Sequence, residues 1–97
     1  MADFRTSLSG TAPAPQFDAP IAALWWAAKG NWDQAHKIVQ DEATYGAAWV
    51  HAYLHRVEGD LPNAGYWYQR ALKPPASGSL EGEWEQIASE LLGSARA

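Results

Sequence analysis

The chain contains no cysteine. That excludes a disulfide framework, a thiolate metal site and a cysteine nucleophile, and it fits a reducing compartment. Basic residues are also scarce: seven Lys and Arg stand against eleven Asp and Glu, for a formal charge of −4. They are scattered along the chain, so no basic stripe is present to neutralise a phosphate backbone, and nucleic acid is not an expected partner. Long apolar runs are missing as well. The longest, Ile21 to Ala28, is far too short to cross a bilayer, and the N-terminal MADFRTSLSG lacks the apolar segment of a secretory signal. No membrane association is expected, and the cytoplasm is the expected location.

Large aromatic side chains are abundant: six Trp, four Tyr and two Phe in 97 residues. A chain of this length buries only about 60–65 % of its unfolded surface, so a stable core needs bulky groups. Each buried aromatic removes on the order of 150–250 Å² from water. These residues are therefore explained first as core.

The punctuation of the chain predicts an all-α fold. Residues 1–17 are rich in Ser, Thr, Ala, Gly and Pro and read as a flexible arm, with Phe4, Leu8 and Phe17 able to dock on the domain or on a partner. Residues 18–97 read as a single helical domain. Asp18, followed by Pro20, starts a helix that stops at Gly30, and Asn31 opens the next, through about Glu42. Thr44 caps a third helix that ends at Glu58 and Gly59. Asp60 restarts the chain at once, and Pro74 and Pro75 end the fourth helix after Lys73. Such short turns pack neighbours antiparallel, giving one hairpin over residues 18–42 and a second over 44–74. Over residues 79–95, Leu80, Trp84, Ile87, Ala88 and Leu91 recur at helical spacing and predict a capping helix, whose acidic residues, Glu81 to Glu85, read as a solvated face. On a helix Trp25 and Trp26 diverge by about 100°, so one belongs to the core and the other is partly exposed.

An internal repeat relates the hairpins. Ala28-Lys29-Gly30-Asn31-Trp32-Asp33-Gln34-Ala35 aligns with Val57-Glu58-Gly59-Asp60-Leu61-Pro62-Asn63-Ala64 at an offset of 29 residues. The second unit, GDLPNAGYWYQRALKPP, resembles a tetratricopeptide repeat, with Gly59, Leu61, Ala64, Tyr68, Ala71 and Pro74 or Pro75 at or near the signature places. The likeness covers residues 19–75 and is divergent: the family period is about 34 residues, and the first unit carries Ile38 and Val39 in place of paired aromatics. The string WVHAYLHRVEGDLPNAGYWYQRA also resembles a small group of bacterial proteins to which no activity is assigned. In tetratricopeptide relatives the first helix of each hairpin lines a concave surface that holds peptides. The resemblance implies a non-catalytic interaction module that binds a protein segment, or a second copy in a homodimer, through Leu24, Trp49, Tyr53 and Arg56. Trp, Tyr and Arg dominate interface energies, but the same side chains could instead pack on the first hairpin or the terminal helix. The several cations of the family's carboxylate clamp are missing, leaving Arg56 alone.

A different class of function is open through His51 and His55. Four residues apart, they share one helical face and could bind one transition-metal ion such as zinc, or a small molecule. Further ligands would have to come from His36, Asp41, Glu42, Glu58 or Asp60, on other turns or helices. Alternatively the pair are core imidazoles hydrogen-bonded to Tyr hydroxyls, Asn63 or carboxylates. HAYLH lacks the glutamate of the HExxH metalloprotease motif, no serine has a fixed base, and no glycine loop cradles phosphate. No enzyme is therefore expected, and no cofactor outside the metal alternative.

Overall fold

The computed structural model describes residues 2–95, which form six α-helices and no strand: α1 Ala2–Ser7, α2 Ala19–Ala28, α3 Trp32–Val39, α4 Tyr45–Val57, α5 Leu61–Ala71 and α6 Leu80–Ala95. The starts of α2 to α5 have their capping side chains in place. Asp18, Asn31, Thr44 and Asp60 accept hydrogen bonds from the amides of Ile21, Gln34, Ala47 and Asn63, relieving donors that a helix cannot satisfy itself.

The repeat extends to the turns. Gly30 and Gly59 both take left-handed backbone, with φ of 81° and 86°. The amide after each glycine reaches back to close the helix, Asn31 to the Trp26 carbonyl and Asp60 to that of His55, both at 2.9 Å. This tight reversal folds α2 onto α3 and α4 onto α5. Two helices stop short of the expected ends. α3 ends at Val39, and α5 ends at Ala71 because Leu72 turns left-handed (φ 58°) ahead of Lys73, whose helical conformation Pro74 disfavours.

α4 is the centre of the molecule. It packs on α2, α3, α5 and α6, and nine consecutive residues, Ala47 to His55, are buried. Helix α6 crosses α2 and α4, burying Trp84, Ile87 and Ala88 between them, and the Trp84 indole donates to the Leu24 carbonyl at 2.9 Å. Trp25 is fully buried and Trp26 is partly exposed, as their divergence on one helix requires.

Within the segment expected to be a flexible arm, residues 2–7 are helical. Phe4 is 3 % exposed, stacked on Trp84 and edge-on to Phe17. Polar contacts tie the segment down further: the Trp25 indole donates to Ser7 Oγ, Lys29 Nζ donates to the Leu8 carbonyl, and Arg5 pairs with Glu85. Composition favoured extended backbone here; burial of one large aromatic outweighs it.

Candidate metal centre

The expected peptide-binding face is covered. Leu24 is 0 %, Trp49 5 % and Tyr53 8 % exposed, all within the core that α6 completes. Arg56 is occupied too. Its guanidinium donates to Glu83 at 3.0 Å and to the carbonyls of Gly78 and Ser79, fixing the start of α6. The four residues therefore do not form an open surface: α6 lies on the face that the resemblance assigned to a peptide.

Glu83 corrects a second expectation. Read as part of a solvated acidic face, it is 4 % exposed, with one oxygen taking the Arg56 donor and the other the Tyr68 hydroxyl. Burial and the bond to Glu83 push the Tyr68 phenol well up, and burial does the same to Tyr53. The spacing of Glu83 to Ile87 on α6 could have revealed it, since four residues return to the same face.

The histidines behave differently. The ligand atoms of His36, His51 and His55 lie within 4.8 Å of one another. His51 and His55 project from α4 one turn apart, rings stacked at 4.9 Å, while His36 comes from α3 in the other hairpin. His36 Nε2 is 3.1 Å from His51 Nε2. Two nitrogens on one tetrahedral zinc, each about 2.0–2.1 Å from the ion, stand about 3.3 Å apart, so this spacing suits a shared cation.

Local structure aims each ring. The Asn31 cap starts α3 so that Trp32 and His36 fall one turn apart and stack at 4.7 Å. The Trp32 indole is itself fixed, donating to the Leu54 carbonyl at 2.6 Å. Trp67 of α5 lies on His51 with centroids 3.8 Å apart. At the end of α4, Glu58 Oε1 is 2.6 Å from His55 Nδ1. That contact places a proton on Nδ1, facing the carboxylate, and leaves Nε2 as the nitrogen open to a ligand, an arrangement typical of metal-ligating histidine.

Electrostatics favour the neutral form of His36 and His51. Burial, then the nearby His36 and His55, holds His51 down at about 4, and burial followed by His55 also lowers His36. Neutral imidazole is the ligating form. His51 Nδ1, the ring nitrogen that does not face His36, is buried without a hydrogen-bond partner. Of the partners expected for core imidazoles, a carboxylate is present, Glu58 on His55, and His36 and His51 are within hydrogen-bond distance of each other; among the described residues neither Tyr hydroxyls nor Asn63 serve the histidines, and Asn63 instead bonds Asp60.

Of the other candidate ligands, Glu58 and Asp60 form a second group with His55, whereas Asp41 and Glu42 belong to neither group. Sequence spacing did not signal Trp67 as the cover of His51.

No family model matches the chain, and no curated protein or solved structure is significantly similar to it. Among the described residues, no helix is long and apolar enough to cross a membrane.

Proposed function

We propose that this protein binds a divalent transition-metal ion, zinc foremost, through His36, His51 and His55. The observation that carries the reading is the convergence of three imidazoles from two hairpins on one point, with Glu58 behind His55. An all-imidazole set suits zinc, copper and nickel; the missing cysteine removes the soft donors that would favour copper(I).

Peptide capture through Leu24, Trp49, Tyr53 and Arg56 is less well supported, because α6 would have to leave, exposing Trp84 and stranding the charge of Glu83. The paired hairpins and their matching glycine turns support a divergent tetratricopeptide-like origin, with the histidine cluster as its elaboration.

The test is stoichiometry. Apo protein titrated with zinc in a calorimeter at neutral pH is expected to take up one ion, and His36→Gln, on a partly exposed position, to weaken uptake strongly while keeping its helical circular dichroism. Folded wild-type protein that takes up no zinc, copper or nickel would rule the reading out.

A further inference from the structure

The cluster supplies three nitrogens, and the remaining donors nearby are committed. Glu58 is held on His55 Nδ1, and Asp60 caps α5 through the amide of Asn63 while also taking its side-chain amide. Among the described residues, no cysteine or further histidine stands by to close the coordination sphere. Structural zinc sites are closed by four protein ligands, whereas catalytic sites have three and leave a position for water or substrate. The cluster also has an open side. His51 is covered by Trp67, but His36 is only partly buried.

Resting on the metal reading above, we propose that the ion on His36, His51 and His55 keeps one open coordination position and makes the site a hydrolytic centre for small activated carboxylic esters. Three neutral imidazoles leave the full dipositive charge on zinc, the condition under which bound water ionises at about pH 7. The water releases one proton to solvent. The resulting hydroxide oxygen forms a bond to the ester carbonyl carbon, and the bond to the leaving oxygen breaks. That oxygen leaves as the alkoxide or phenoxide, protonated by solvent where its basicity requires, and the product acid ionises. No oxidant, reductant or second substrate is needed. Glu58 is a positioning residue here, keeping His55 in the tautomer that presents Nε2.

The probes are cobalt(II), azide and 4-nitrophenyl acetate, used with the full chain. Cobalt-loaded protein is expected to change its visible absorption when azide takes the open position. Zinc-loaded protein is expected to hydrolyse the ester about tenfold or more faster than both apo protein and equimolar free zinc, with azide inhibiting. Protein that retains one zinc yet is no faster than apo protein overturns the hydrolytic inference and leaves the metal reading standing. Protein that retains no zinc overturns both.

Discussion

His36 Nε2 and His51 Nε2 face each other at 3.1 Å across the boundary between the two hairpins. An ion held there links α3 to α4 and so adds to the side-chain packing and the Trp32–Leu54 hydrogen bond that already join the two hairpins. Zinc at a hundred times its dissociation constant should add about 2.7 kcal/mol of stability. For a domain of this size that corresponds to about 10 °C or more in melting temperature. Thermal melts with zinc and with a chelator check this, and His36→Gln should remove most of the increment.

The apo protein should lose stability as the medium becomes acidic. His51 is held at about 4 in the fold against an ordinary value of 6.5. Below 6.5 the unfolded chain takes up a proton that the native state refuses until about pH 4. The contribution of this group is therefore complete above 6.5 and falls away as the pH drops toward 4. Between pH 7 and pH 5 the loss amounts to about 2 kcal/mol. His36, lowered in the same direction, adds to it. The difference between urea midpoints at the two values should narrow in a His51→Gln variant, with the share of His36 remaining; an unchanged pH difference would contradict the assignment.

Glu83 should be the most sensitive acidic residue. Its replacement by alanine leaves the Arg56 guanidinium, 14 % exposed, without its counter-charge. The expected cost is about 3–5 kcal/mol, as for other broken buried pairs. Denaturant unfolding of Glu83→Ala, Arg56→Met and the double variant checks it, with the double variant losing less than the sum of the singles.

Phe4→Ala should cost at most about 3 kcal/mol, less than truncation in the centre of a core, because release of α1 caps the loss. The local effect should be plain: Trp84, 5 % exposed beneath Phe4, gains water contact and contributes red-shifted emission. An emission maximum identical to that of wild type would show that α1 does not shield Trp84.

Much of the fold was legible residue by residue because helix boundaries are local matters. Asp18, Asn31, Thr44 and Asp60 cap the amides three residues on, and Gly30 and Gly59 supply the left-handed turn after each first helix. The pairing of His51 with His55 was legible for the same reason, since one helical turn sets it. α1 was not, since Phe4 gains its helix from Phe17 and Trp84, the latter 80 positions along the chain. Glu83 was misread because a carboxylate in an acidic run looks solvated until Arg56 and Tyr68 arrive from other helices.

By itself, the sequence determined where helices begin, where they turn and which side chains share a helical face, because capping, glycine conformation and the 3.6-residue period act within a few residues. Tertiary structure alone decided that α6 occupies the aromatic face, and that His36 meets His51 and His55. The first depends on how α6 packs across α2 and α4, the second on how the two hairpins pack against each other, and long-range packing energies of that kind have no local signature in the order of residues.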